Sequence, residues 1–130
     1  MVDFLCHLPL SRDRLDITLL HVFRKPSAGE KLMGEEYIRE APARLKSVLE
    51  KAKNRLVENG FDPDRISIRL ITDEYTTITD GIIDQYRKKT FDMVVIGRRK
   101  KSKSEEFVLG DISVNLVRAL EKAAVMVVKI

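Results

Sequence analysis

Phe91-Asp92-Met93-Val94-Val95-Ile96-Gly97, followed after a polar interval by Gly110-Asp111-Ile112-Ser113, decides how the rest of the 130-residue chain is read. Met93 to Ile96 is an uninterrupted apolar run, as expected of a strand buried on both faces in a parallel sheet. Phe91 to Ile96 therefore reads as a central strand ending at Gly97, and it delivers the chain to a loop at its carboxyl end, where α/β sheets place ligands. Asp111 can cap a helix to about Glu121 whose Ile112, Leu116, Val117 and Leu120 face inward. The final strand is Val125 to Ile130.

Working back from this segment, the hydrophobic period keeps alternating between strand-like and helix-like, the pattern of an α/β protein. Asp16 to Phe23 carries Ile17, Leu19, Leu20 and Val22 in a nearly continuous run and reads as an inner strand. The Arg24 to Gly34 loop, with Pro26, Gly29 and Gly34, reads as a mobile connection. A helix over Ala43 to Asn59 places Leu45, Val48, Leu49, Ala52 and Leu56 on one stripe, with Gly60 as its left-handed stop and Pro63 blocking resumption. Ile66 to Ile71 alternates, as an edge strand with one side toward water would. Thr77 and Asp80 have capping-box spacing ahead of a helix from about Thr77 to Lys88. Met1 to Leu8 reads as a short helix, because Pro9 to Leu15 is too short for the crossover that a parallel strand pair requires.

The length is that of one domain, 1–130, able to bury about two thirds of its unfolded surface without disulfide or metal staples. One cysteine, Cys6, excludes an internal disulfide and suits a reducing compartment, so the expected location is the cytoplasm. No apolar stretch approaches the ~20 residues of a membrane span. Twenty-four basic residues against 20 acidic ones leave a net charge of only +4, and five of the six residues from Arg98 to Lys103 are basic. That is one small positive loop, because Glu105 and Glu106 reverse the sign at once, and nucleic-acid binding is not expected.

A strand, a glycine and a helix amino terminus together suit an anion, since free backbone N–H groups and the helix dipole both favour negative charge. The plainer reading is that Gly97 lets the chain turn, the basic loop is solvated and Asp111 caps its own helix. His7, His21 and Cys6 lack metal-ligand spacing and read as packed side chains. No nucleophile motif such as Gly-x-Ser-x-Gly is present, so no enzyme is expected.

Phe91 to Gly97, Gly110-Asp111-Ile112-Ser113-Val114-Asn115-Leu116-Val117 and Val125-Met126-Val127-Val128-Lys129 resemble the carboxyl-terminal half of a universal stress protein domain, and Leu19-Leu20-His21-Val22 resembles that family's second strand. The resemblance implies a flavodoxin-like or Rossmann-like parallel sheet with helices on both faces, of order 3-2-1-4-5. It also implies homodimerisation through the last strand and, in one branch, ATP bound at the strand carboxyl ends by Gly-x2-Gly-x9-Gly-Ser/Thr. The corresponding positions here are Gly97, Lys100, Gly110 and Asp111, with spacing intact and two of the four residues changed. Nucleotide-lining positions map to Val22, Ile96, Gly97, Lys100, Gly110, Asp111, Ile112 and Ser113. Lysine for glycine adds both bulk and positive charge. An aspartate in place of a hydroxyl repels phosphate, by roughly 1 to 4 kcal/mol at about 4 Å depending on the local dielectric.

The family's first strand and its Asp-containing loop have no counterpart in this chain. Three explanations compete: truncation at the amino terminus, which is the reading adopted; a strand donated by a partner chain; or a segment folded differently. The function expected is that of a regulatory stress-response domain with a degraded nucleotide site and no tightly bound cofactor, acting through dimerisation or a protein partner. The alternatives are an ATP- or AMP-binding sensor using Gly97 to Ser113, and a module docking an acidic partner through Arg98 to Lys103.

Overall fold

A computed structural model describes residues 1–24, 28–98 and 111–129. The chain divides into two compact units, Val2–Thr76 and Thr77–Ile130. In the amino-terminal unit, α1 (Val2–His7) leads to β1 (Ile17–Arg24), α2 (Ala28–Leu32), α3 (Glu35–Glu58) and β2 (Ile66–Tyr75). In the carboxyl-terminal unit, α4 (Ile78–Lys88), β3 (Met93–Arg98), α5 (Asp111–Ala119) and β4 (Ala124–Lys129) follow.

Each unit holds one pair of parallel strands. β1 pairs with β2 from Ile17 opposite Ile66 to Val22 opposite Ile71, and an irregularity between Val22 and Arg24 carries the pairing on to Tyr75. That irregularity takes β2 four residues past Ile71, where the alternation in the sequence stops. β3 pairs with β4 from Met93 opposite Ala124 to Arg98 opposite Lys129. In the implied order 3-2-1-4-5 these are the two outer pairings, 2 with 3 and 4 with 5. The expectation that β1 is an inner strand is not met among the described residues, where β2 is its sole hydrogen-bonded neighbour.

The core of the amino-terminal unit is Leu56, Phe61 and Ile66, with Val2, Cys6, Leu15, Ile17 and Leu19 packed against it. The end of α3 builds that core. Phe61 N–H bonds the Leu56 carbonyl at 3.1 Å and Gly60 N–H bonds the Val57 carbonyl at 3.0 Å, while Gly60 takes φ 94°. This is the Schellman arrangement, whose accompanying apolar contact places Phe61 beside Leu56. Gly60 thus stops the helix as its sequence position predicts.

The start of α3 does not follow the sequence reading. The helix begins at Glu35 rather than Ala43 and passes through Pro42, with Gly34 (φ 97°) as its cap and no side-chain capping bond. Proline removes one intrahelical N–H and crowds the carbonyl four residues back, at a cost of about 3 kcal/mol. The long helix beyond it outweighs that local preference. Within the stretch read as a connection, Ala28–Leu32 forms a short helix. The helix expected at the amino terminus is present as α1.

In the carboxyl-terminal unit, Tyr86, Leu116 and Leu120 form the core, joined by Ile82, Ile83, Phe91, Val94, Ile96 and Val125. α4 starts where its cap predicts: Asp80 N–H donates to Thr77 Oγ1 at 3.1 Å. α5 stops at Ala119, two residues before the expected end. Tyr86 O–H donates to the Glu121 carbonyl at 2.5 Å and Lys122 adopts φ 57°, so the chain turns into β4 instead of winding further.

Candidate functional site

β3 and β4 run parallel, so Gly97, opposite Val128, and Arg98, opposite Lys129, mark the carboxyl end of their sheet. This is the end at which open α/β sheets bind ligands. Gly97 is not the turn that the sequence suggests. It lies inside β3, paired in register and without a positive φ, and the strand continues to Arg98. A glycine between two ladder positions accepts extended backbone as any residue does, and the register with β4 holds it there.

On the other side of the loop, Asp111 is the first residue of α5. Ile112 is partly exposed, whereas Ser113 is only 3% exposed and faces the interior. Ile96 is half-buried and packs on the Tyr86–Leu116 core. The carboxyl-terminal unit therefore brings Ile96, Gly97, Ile112 and Ser113 into one small fold. Val22 belongs to the amino-terminal unit, where it is buried on β1. Lys100 and Gly110 lie outside the described residues, as do Arg99 and residues 101–109 and, at the end of the expected last strand, Ile130.

Two clefts in the carboxyl-terminal unit, of about 540 and about 400 Å3, are lined elsewhere. The larger runs between the first turn of α4 and α5 and includes Thr79, Asp80, Asn115 and Arg118. Sequence reading treats Asp80 only as part of a cap and places no function on Asn115 or Arg118. The available signal was the polarity of Asn115 and Arg118 between the apolar residues Val114, Leu116, Val117 and Ala119 of α5.

His21 sits half-buried in β1, edge-on to Phe23 with ring centroids 4.7 Å apart. Burial holds its pKa below the usual histidine value, because desolvation disfavours the imidazolium. A packed or half-buried side chain is what the sequence reading expects there. Among the described residues, no group of three or more His, Cys, Asp or Glu side chains could hold a metal ion, and no helix is long and apolar enough to cross a membrane.

A model of the universal stress protein family matches residues 2–129. A search of the solved structures finds the chain described as "Structure-based assignment of the biochemical function of hypothetical protein MJ0577: A test case of structural genomics". It superposes with a TM-score of 0.64 at 19% identity, covering 99% of this chain and 85% of that one. At that identity the likeness concerns the fold alone. No curated protein matches significantly. The α/β architecture, the two parallel pairings and a family match across nearly the whole chain agree, and the chain belongs to the universal stress protein family.

Proposed function

We propose that this chain is a non-enzymatic regulatory domain of the stress response, cytoplasmic, whose nucleotide site is degraded and which acts as a homodimer or through a protein partner. The observation that carries the reading is Asp111. It stands as the first residue of α5, where the family's nucleotide motif has a hydroxyl. An ionised carboxylate accepts hydrogen bonds instead of donating them, and its charge repels a phosphate. Lys100 in place of the motif's second glycine adds a side chain where the backbone would have to approach the ligand.

Calorimetric titration with ATP and magnesium is the direct test. No heat of binding at physiological concentration is expected, and a micromolar dissociation constant would overturn the reading. The intact spacing from Gly97 to Gly110 supports a second reading, an ATP or AMP sensor in which Arg98, Arg99 and Lys100 contact phosphate. On that reading Asp111→Ser strengthens ATP binding and Lys100→Ala weakens it; indifference to both supports the degraded site.

The dimer is proposed to form through Val125 to Ile130. β4 pairs with β3 along one edge, and a second copy can add its own strand to the other. Light scattering of the chain with and without Lys129 and Ile130 is expected to show a dimer that weakens on shortening. A monomer at both lengths refutes it.

A further inference from the structure

The cleft of about 540 Å3 between α4 and α5 lies wholly within the carboxyl-terminal unit and is not part of the strand-end site. Its volume falls in the range of small-molecule pockets, about 300 to 1,000 Å3. Three features of its wall point to a ligand. The first is Thr79, only 7% exposed, whose hydroxyl has no hydrogen-bond partner among the described residues although the residue lines the cleft. With no such partner at the cleft wall, that hydroxyl is free to donate to a ligand atom or accept from one.

The second is position. Thr79 lies in the first turn of α4, whose N–H groups lack intrahelical acceptors. The cap uses those of Asp80, bonded to Thr77 Oγ1 at 3.1 Å, and of Gly81, bonded to the Thr77 carbonyl at 3.4 Å. The amide of Thr79 is left as a donor beside its own hydroxyl.

The third is a pair of opposite charges that do not neutralise each other. Asp80 on α4 and Arg118 on α5 both line the cleft, and neither has an ion-pair partner among the described residues. One turn further along the same helix, Asp84 and Lys88 do pair, at 3.3 Å. A simple anion would suit Arg118, Thr79 and the helix end but would be repelled by Asp80. A simple cation would suit Asp80 and be repelled by Arg118 and the helix end.

We propose that the cleft binds a free aliphatic α-amino acid, whose carboxylate and ammonium are joined through a single carbon and so satisfy both charges at once. The carboxylate accepts from the Arg118 guanidinium and from the hydroxyl and amide of Thr79. The ammonium donates to Asp80 and to the Asn115 side-chain carbonyl. Ile83 and Ala119 supply the apolar wall for the aliphatic side chain.

The test is a titration of the isotope-labelled full chain with L-leucine, followed by amide NMR shifts. Saturable shifts are expected at Thr79, Asn115 and Arg118, with a dissociation constant of about 1 mM or tighter. Leucinamide and 4-methylpentanoate, each lacking one of the two charges, are expected to bind at least about tenfold more weakly, as are the Arg118→Met and Asp80→Asn variants. Thr79→Val keeps the side-chain volume and removes the hydroxyl, so it should weaken leucine while leaving the remaining spectrum in place. The proposal falls if leucine gives no saturable shift at these amides up to about 10 mM. It falls equally if the charge variants bind leucine unchanged, or if inorganic phosphate or methylammonium alone binds there as tightly as leucine.

Discussion

The two units of this chain differ in what their most buried and best-placed polar side chains do. In Val2–Thr76, polar groups close the fold on itself. Arg12 donates to the Cys6 carbonyl at 2.7 Å and to the Asn59 carbonyl at 2.6 Å, and its guanidinium stacks 5.0 Å from the Phe61 ring centroid. One side chain thereby satisfies carbonyls at the carboxyl ends of both α1 and α3, where a cation is also favoured by the helix dipoles. Asp3 and Arg55 tie the same two helices at 2.7 Å. In Thr77–Ile130, by contrast, Gln85 Oε1 is buried with no partner among the described residues. The second unit has polar ties of its own, from Tyr86 to the Glu121 carbonyl and between Asp84 and Lys88, but it leaves Asp80 and Arg118 on the larger cleft without an ion pair among the described residues.

The largest test of this contrast is truncation of the two fully buried leucines, Leu56 and Leu116, one at the centre of each core. Leu56→Ala and Leu116→Ala are each expected to cost about 2 to 5 kcal/mol, measured by denaturant unfolding. Hydrogen exchange should place the loss from Leu56→Ala in α3, β1 and β2, and that from Leu116→Ala in α4, α5 and β3. A loss spread evenly over both units by either variant would break the comparison.

A smaller effect is expected at Arg12. Arg12→Ala removes two hydrogen bonds to helix-end carbonyls and the ring contact on Phe61, and about 1 to 3 kcal/mol should be lost. Arg12→Lys keeps the charge and cannot reproduce the planar fork, so it should recover only part of that loss. Full recovery by lysine would show that charge alone holds the two helix ends. The same guanidinium limits position 60, because a Cβ there would meet Arg12 Cδ at 3.2 Å at a backbone angle that already favours glycine.

Most of this framework was legible in the sequence, and the failures share a cause. The strands, the cap at Thr77 and the Schellman stop at Gly60 depend on a few adjacent residues, so local reading finds them. The sequence starts α3 at Ala43 because Pro42 is a local helix breaker, yet packing along the rest of that helix outweighs it. Gly97 suggests a turn because glycine permits one, whereas the register with Val128 keeps it extended. At the site, identity and spacing were readable but convergence was not. Ser113 turns inward and Val22 belongs to the other unit, both consequences of tertiary packing. The α4–α5 cleft was invisible for the same reason, since Asp80 and Arg118 are 38 residues apart and only the packing of two helices brings them to one wall.

The smallest expected effect is on pH dependence, and it separates two groups within the amino-terminal unit. The hydrogen bond and charge of Arg55 hold the Asp3 carboxyl below its usual 3.8. A carboxyl whose folded pKa is depressed contributes stability above its unfolded pKa, and that contribution is lost as pH falls below about 3.8 toward the folded value. His21 obeys the same sign for a different reason. Desolvation lowers its pKa from 6.5, so the unfolded chain takes up a proton first, and stability declines as pH drops from about 6.5 toward the folded value. The two contributions therefore fall in separate windows, and salt distinguishes them. Asp3 and Arg55 are both more than half exposed, so high salt should flatten the acid limb that Asp3→Asn removes. The decline near pH 6 should survive salt and disappear in His21→Phe, because it originates in burial rather than in a screened charge pair. A near-neutral decline abolished by salt would instead assign it to surface charge, and the half-buried imidazole would have no part in it.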